Sequence, residues 1–535
     1  MREGGERDEV TEEGRIAYSR RNIIYGFFQV AVKRLLPFAV RTILIYRFGV
    51  NYLGLNSVFA SVLSVLSLME LGFGTAIVYS LYKPVAEGNT EQICAYLAYY
   101  RKIYRIIGLT ILGVGLLVMP FLNMFIHDVR IPGDLNLYVY YLIFLGNTVI
   151  SYLLYGYMTA VPTAYQRKDL LSRIDICVSV MRCLIQAVVL LLSNNIYLYL
   201  AAMPLMTVVQ NLFTAYVVLK KYPEIKCKGV LNSEQKRELG KKTYGLLVTR
   251  VMAVSRNSVD TLCLSAFFTL SLTGIYHNYY YIMSSVLSLT YVIGQSITPS
   301  VGNSIATESR EKNYSDMREF DFLYMAVAGG MTACMLCLYQ PFIRLWTGEG
   351  MMLETPVAVA MCVYFYILES GAIHWVYILG AGLWYECRLI MIGEATANLV
   401  LNILLCKIWG VGGIVLATVI TVFTTNFLFF PRISFKFYFK NGKLKEYWAD
   451  HAKYTATALV TAGVSWVACE KLLPMGMING MREGLFCLGG RALLCIFSSV
   501  VVFWTIWHRN SLCQMAMKRL KMMVFLRGEK YIDSH

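Results

Sequence analysis

The sequence predicts an all-α membrane protein with about fourteen transmembrane helices. Of its 535 residues, 57% are hydrophobic and only 15% are charged, whereas a soluble chain carries about 25% charged residues. The mean hydropathy is +0.53. The apolar residues fall in blocks of about twenty, the length at which a helix crosses roughly 30 Å of hydrocarbon. This composition excludes a disordered or ordinary soluble protein.

The distribution of Lys and Arg predicts the orientation. The net charge is +16, and most basic residues fall in the segments that are cytoplasmic if the N-terminus is inside. The basic residues of the opposite segments are Arg130, Lys407, Lys471 and Arg482. Residues 1–22 are polar and contain no pattern of a cleaved signal. We therefore expect a multi-pass protein of the cytoplasmic membrane with both termini cytoplasmic.

A weak internal repeat predicts two pseudo-symmetric six-helix lobes around a central cavity, followed by a helix pair. About 220 residues separate Phe48, Gly54 and Ser64 from Phe268, Gly274 and Ser284. Both halves begin inside, so the repeat is parallel. The predicted organisation is an N-terminal tail (1–22), an N-lobe (23–219), a basic cytoplasmic linker (220–243), a C-lobe (244–431), a basic cytoplasmic loop (432–451), two further helices (452–507) and a cytoplasmic basic tail (508–535).

Common catalytic motifs are missing from the sequence, which predicts that the chain is not an enzyme. It contains no phosphate-binding loop of the GxxxxGK[ST] type and no HExxH or GxSxG motif. A membrane-embedded sugar polymerase or glycosyltransferase would need a long outer loop with paired carboxylates, and the outer loops are short. The only CxxC, Cys334 to Cys337, has no companion ligands nearby in sequence, so we interpret it as packed thiols without a metal.

Cations inside predicted membrane helices are costly and therefore mark candidate sites. In the first helix Lys33, Pro37 and Arg41 are spaced by four residues and share a face, and Arg34 also shares a side with Arg41. Pro37 predicts a bend in mid-membrane. Alternatively, Lys33 and Arg34 extend to the cytoplasmic interface. The complete set of candidate cations is Lys33, Arg34, Arg41, Arg182, Arg250 and Arg256.

Three intramembrane carboxylates are candidates for binding a coupling cation or proton. They are Glu70, Asp260 and Glu369. Asp260 lies four residues after Arg256, so these two side chains can instead neutralise each other as a buried pair. Both interpretations stay open at the level of sequence.

Four stretches resemble bacterial polysaccharide transporters, the flippases for lipid-linked oligosaccharides. They are GVNYLGLNSVFASVLSVLSLMELGFGTAIVYSLYKPVAEGN (49–89), TAYQRKDLLSRIDI (163–176), SVDTLCLSAFFTLSLTGIYHNYYYIMSSV (258–286) and NLVLNILLCKIWGVGGIVLATVIT (398–421). The superfamily of these proteins also contains MATE drug antiporters and lipid II flippases. The resemblance covers most of residues 20–430.

The resemblance implies export of an undecaprenyl-diphosphate-linked oligosaccharide from the inner to the outer leaflet by alternating access, for surface polysaccharide synthesis. The candidate cations would bind the diphosphate. No cofactor is expected apart from Na⁺ or H⁺ as coupling ion. The implied partners are the lipid-linked sugar, membrane lipid, and the polymerase and glycosyltransferases of the same pathway, with the chain itself a monomer. The alternative is a MATE-type cation-coupled multidrug or small-solute antiporter, whose cavity should be acidic or apolar.

Overall fold

The computed structural model describes residues 12–70, 72–126, 135–475 and 480–518. Helices and turns account for these residues, and no strand occurs in them. The α-helices are α1 (Glu12–Phe48), α2 (Val50–Leu66), α3 (Phe73–Ala86), α4 (Thr90–Val118), α5 (Leu137–Leu153), α6 (Ala160–Ala164), α7 (Lys168–Leu192), α8 (Ile196–Lys221), α9 (Ser233–Phe267), α10 (Leu270–Thr307), α11 (Arg310–Thr347), α12 (Thr355–Ser370), α13 (Ala372–Gly380), α14 (Trp384–Val422), α15 (Phe430–Ile433), α16 (Leu444–Leu472) and α17 (Met481–Trp507).

The apolar blocks of the sequence all coincide with helices, which confirms the predicted all-helical class. Within the described ranges, seven helical segments are long and apolar enough to cross a membrane. An eighth span forms if α5 and the segment Gly156–Ala164, which bend by 57°, count together. The chain is therefore a multi-pass membrane protein.

Contacts between helices divide the chain into two compact units, Met1–Gly274 and Ile275–His535. In the first unit α1 packs along α7, and α7 and α5 both pack on α8. The helix α9 also belongs to this unit, because it packs on α2 and α3. The boundary between the two units lies at residues 274–275, after the predicted linker at 220–243. The boundaries of the two lobes stay a prediction.

The predicted linker is packed rather than extended. Ile225 and Leu231 are buried in a core cluster with residues of α3, α4 and α8. A capping box formed by Asn232 and Gln235 starts α9, so the second half of the linker is helical. Burial raises the pKa of the Cys227 thiol in this loop, which keeps the thiol protonated and unreactive at neutral pH.

In the second unit α11 is the central helix and packs on α12, α16 and α17. Phe322, Tyr454 and Trp507 form one core cluster, to which the chain after α17 adds Leu512. Residues 511–518 are helical. The described start of the basic tail therefore packs against the helices of this unit.

Two glycine positions produce special backbone features. Gly410 interrupts α14 with φ of 58°, and its lack of a Cβ makes that conformation inexpensive. This break lies between two apolar stretches of the sequence, 389–406 and 411–431. A Cβ at Gly413 would overlap the carbonyl oxygen of Leu405, so the chain just after the break requires a glycine there.

The two glycines of the internal repeat pack against each other's helices. A Cβ on Gly54 would overlap the carbonyl oxygen of Leu270, and one on Gly274 would lie 2.5 Å from the carbonyl oxygen of Val50. Val50 precedes Gly54 by four residues, as Leu270 precedes Gly274. The two glycine positions that the repeat aligns are therefore in reciprocal contact.

Candidate functional site

A polar seam runs along α1, α7 and α8 in the first unit. Its first level is centred on Asp175 of α7, whose carboxylate lies 2.5 Å from Nζ of Lys33. The side-chain amides of Gln29 and Gln210 also donate hydrogen bonds to Asp175, and Ser172 donates to Gln29. The charge of Lys33 is therefore already balanced by a carboxylate from another helix.

The second level of the seam contains two arginines. Arg41 follows Lys33 on α1 by eight residues and Arg182 follows Asp175 on α7 by seven, each about two helical turns or roughly 10–12 Å along the axis. Both guanidinium groups interact electrostatically with the hydroxyl of Tyr199 on α8. Arg41 and Arg182 are half-buried, and Tyr199 is buried. The structure thus brings two of the predicted cations to one tyrosine.

Of the other three predicted cations, the structure describes the side chain of Arg34 but not those of Arg250 and Arg256. Arg34 is half-buried on α1. Arg250 and Arg256 belong to α9, but their side chains lie outside the described residues. Pro37 lies inside α1, which continues across it as one helix, so the bend there stays a prediction.

Glu70 lies at the break between α2 and α3. The hydroxyl of Tyr104 donates to Oε1 of Glu70 at 3.0 Å, and that of Tyr100 donates to Tyr104 at 2.7 Å. Gly74 gives this chain of hydroxyls room, because a Cβ there would lie 2.6 Å from the hydroxyl of Tyr100. Two tyrosines from α4 thus hold this carboxylate in place.

The other two predicted carboxylates are buried. Asp260 in α9 is 4% exposed, and so is Glu369 near the end of α12. Thr290 of α10 donates to Oε1 of Glu369 at 2.7 Å, and Tyr324 of α11 also hydrogen-bonds to this carboxylate. Within the described part of the chain, Oε2 of Glu369 has no hydrogen-bond partner. That oxygen is a ready acceptor for a proton or a cation.

The second unit also contains an acid–histidine pair that the sequence analysis missed. Nε2 of His451 in α16 lies 2.8 Å from Oδ2 of Asp321 in α11, and both side chains are almost fully buried. His374 of α13 is fully buried, and both its ring nitrogens lack hydrogen-bond partners among the described residues. Its ring packs edge-on against Tyr447, with 4.6 Å between centroids.

These buried titratable groups lie on helices of the second unit, but among the described residues only His451 and Asp321 are joined by a direct hydrogen bond. Tyr447 contacts both histidine rings and approaches the carbonyl of Ser370, next to Glu369. Four helices contribute, namely α11, α12, α13 and α16. A network of carboxylates and histidines inside a membrane protein can carry protons or bind a small cation. We call this set of Asp321, Glu369, His374 and His451 the acid–histidine network.

Comparisons with known proteins identify the fold. No protein-family model matches the sequence, and no curated protein matches it. Among solved structures, the lipid II flippase MurJ in an inward closed conformation is similar with a TM-score of 0.66 at 14% identity, covering 92% of this chain and 99% of that chain.

MATE transporters give comparable matches. A multidrug resistance MATE family transporter of the MOP superfamily, in an inward-facing conformation, matches with a TM-score of 0.63 at 12% identity, covering 77% of this chain and 96% of that one. A variant of the Vibrio cholerae MATE transporter VcmN matches with a TM-score of 0.58 at 14% identity, covering 79% and 99%. The chain therefore has the MATE-like helical fold that MurJ shares with the multidrug transporters of the MOP superfamily.

Proposed function

We propose that the protein is a flippase that moves an undecaprenyl-diphosphate-linked oligosaccharide from the inner to the outer leaflet of the bacterial cytoplasmic membrane, for surface polysaccharide synthesis. The fold supports this proposal, since one solved structure of similar fold is a lipid II flippase. The four stretches that resemble polysaccharide transporters support the polysaccharide pathway.

The observation that carries the proposal is that two half-buried arginines from different helices, Arg41 of α1 and Arg182 of α7, both lie near enough to the buried Tyr199 of α8 to interact with it electrostatically. A diphosphate cannot cross hydrocarbon with bare charges, so its carrier must offer cations that lipid does not reach. Guanidinium groups suit this task, because they stay protonated and bind phosphate oxygens through two parallel hydrogen bonds. The hydroxyl of Tyr199 adds a neutral donor for the same oxygens.

The acid–histidine network is the proposed site of ion coupling. A proton or Na⁺ bound at Glu369 would neutralise a buried carboxylate, and its release would restore the charge. Asp321 and His451 extend the same network by a pair that can exchange a proton. Binding and release of the ion would then bias alternating access of the carrier.

The orientation and the partners belong to the same proposal. Both termini are cytoplasmic, as the basic segments predict. The lipid-linked sugar is supplied by the glycosyltransferases and consumed by the polymerase of the same pathway.

Flipping in liposomes tests the proposal. Purified protein is reconstituted with a fluorescent undecaprenyl-diphosphate oligosaccharide, and a membrane-impermeant quencher reports the accessible fraction with and without an imposed Na⁺ or H⁺ gradient. We expect protein-dependent movement of the diphosphate lipid and faster movement with one of the two gradients. Protein-free liposomes and liposomes containing the heat-denatured protein are the controls.

Two results would contradict the proposal. One is the absence of movement for several diphosphate-linked sugars. The other is gradient-driven uptake of an organic cation by the same liposomes, which would indicate a MATE-type antiporter. The assay therefore separates a lipid-linked anion from a soluble cation as the transported species.

A further inference from the structure

Four cysteines converge inside the bundle of α11, α16 and α17. Cys337 of α11, Cys469 of α16 and Cys495 of α17 are buried, and their Sγ atoms all lie within 4.8 Å of one another. Sγ of Cys469 and Sγ of Cys495 are 3.6 Å apart. Cys334, one turn before Cys337, packs on the same cluster and hydrogen-bonds with Cys495. We call these four side chains the thiol cluster.

The spacing of the sulfur atoms suits a metal ion. Four thiolates around a tetrahedral ion with bonds of about 2.3 Å have edges of about 3.8 Å. The distance of 3.6 Å between Cys469 and Cys495 is close to such an edge. A disulfide would instead require about 2.05 Å between sulfurs, and all four cysteines are free thiols.

The electrostatic surroundings also suit a centre of thiolates. Metal binding releases the thiol protons and leaves negative charge on sulfur, which is costly in the membrane unless a cation is near. The buried Arg491 of α17 lies beside the cluster, with its Nη1 3.4 Å from the carbonyl oxygen of Cys337, while its Nη2 pairs with Glu470 at 2.9 Å. Its ion-pair partner Glu470 is 46% exposed, so that carboxylate can be solvated.

The cluster lies near the end of one of its helices, α16. Cys469 is in the last turn of α16, which ends at Leu472. Nε of Arg491 donates to the carbonyl oxygen of Leu473, just after that helix, at 2.8 Å. Cys334 is half-buried, so the cluster is not sealed on every side.

We propose that the thiol cluster binds one soft, thiophilic metal ion of the Cu(I) or Zn(II) class. Three sulfur ligands come from Cys337, Cys469 and Cys495. They suffice for a three-coordinate Cu(I) site, and a water molecule would complete a four-coordinate Zn(II) site. Each ligating thiol gives its proton to the solvent, and no electron is transferred. The ion ties α16 and α17 to α11.

Metal titration of the full-length protein tests the proposal. The detergent-purified chain is reduced, freed of metal and reductant under nitrogen, and titrated separately with Zn²⁺ and Cu⁺ against a chromophoric chelator. We expect one ion per chain by elemental analysis and a higher Tm with the ion bound. Ultraviolet absorption from thiolate-to-Cu⁺ charge transfer reports sulfur ligation, which an ion bound elsewhere on the surface does not produce.

A pair of double variants makes the test specific. Cys469→Ser with Cys495→Ser should lose at least about a hundredfold in affinity and the increase in Tm. Cys183→Ser with Cys362→Ser removes two buried thiols outside the cluster and should bind as the parent does. Gel filtration without metal verifies that both double variants fold.

If the first variant does not fold, Cys337→Ser alone replaces it, with the same expected loss of affinity. Equal metal retention by the cluster variants and the parent would overturn the proposal. So would the absence of any stoichiometric ion on the reduced parent, which would leave the four side chains as packing groups.

Discussion

The polar seam of the first unit and the acid–histidine network of the second unit contain opposite kinds of chemistry. The seam presents Arg41 and Arg182, whose charges persist at every physiological pH. The network consists of carboxylates and imidazoles, whose charges change with proton or ion binding. A permanent cation suits the recognition of an anion, whereas a switchable group suits coupling to a gradient. In the proposed flippase, the first unit would therefore bind the anion and the second unit would bind the coupling ion.

The largest effect is expected when the permanent cations are removed. Arg41→Gln combined with Arg182→Gln should lower the initial rate of diphosphate-lipid flipping by about a hundredfold or more, since each charge-assisted hydrogen bond contributes about 1.5–3 kcal/mol. The quencher assay in liposomes measures that rate. Arg105→Gln, at an exposed position of α4, is the matched control and should flip at the parental rate. An unchanged rate in the double variant would assign the diphosphate site elsewhere.

Removing the switchable charge should produce a different defect. Glu369→Gln keeps the size and one acceptor of the side chain but cannot bind a proton or Na⁺ as the carboxylate does. We expect downhill flipping to continue while the acceleration by the gradient, on the order of tenfold by analogy with typical coupling energies, disappears. The measurement is the rate ratio with and without the gradient.

The control for this carboxylate is Glu91→Gln at an exposed position of α4, which should preserve the ratio. If Glu369→Gln responds to the gradient like the parent, the coupling ion binds outside the acid–histidine network. A collapse of both rates would instead give Glu369 a role in the fold of the second unit.

A smaller effect is expected where Gly54 of α2 and Gly274 of α10 contact each other's helices. Gly54→Ala and Gly274→Ala each place a methyl group against a backbone carbonyl of the opposite helix, and such overpacking costs about 1–3 kcal/mol. Because the contact is reciprocal, both variants should lower the Tm by similar amounts in tryptophan-fluorescence melts. Gly113→Ala, where a Cβ meets open space, should leave the Tm unchanged. A large difference between the first two variants would show that the repeat positions are not equivalent.

The fold could be predicted from the sequence because hydropathy acts locally. A helix in hydrocarbon satisfies its own backbone hydrogen bonds, so a block of apolar residues near 174–193 is sufficient to predict α7. The repeat spacing aligns Gly54 with Gly274, but only the structure shows that the two positions contact each other. The sequence therefore contains most of the information about the helices and much less about how they pack.

The His451–Asp321 pair, the Lys33–Asp175 pair and the thiol cluster could not be predicted from the sequence. In each of them the interacting side chains come from helices that are distant in sequence. His451 and Asp321 are 130 residues apart, and no spacing rule links α11 to α16. The sequence analysis interpreted the CxxC in α11 as packed thiols, because no other cysteine is near it in sequence. Cys469 of α16 and Cys495 of α17 lie beside it only in the folded chain. Tertiary packing decides whether such isolated residues have partners.

The partner of Lys33 in the polar seam could not be predicted from the sequence either. Breaking this pair is the change with the smallest expected effect. The sequence places the charge of Lys33 beside Arg41, but Asp175 from α7 balances it. The pair is partly exposed, with Lys33 45% and Asp175 18% accessible, so solvent screening keeps its contribution to the free energy of unfolding to at most about 1 kcal/mol. Lys33→Met and Asp175→Asn should each destabilise the protein, and the double variant should recover part of the loss.

The same three variants of Lys33 and Asp175 also test whether the first level of the seam binds the lipid or only the second level does. If Lys33 only neutralises Asp175, the double variant should flip the diphosphate lipid at close to the parental rate, while the arginine variants do not. A Lys33→Met rate as low as that of the arginine variants, unrelieved by Asp175→Asn, would mean that Lys33 leaves its partner to bind the lipid. In that case the anion site would extend over both levels of the seam, about 12 Å along α1.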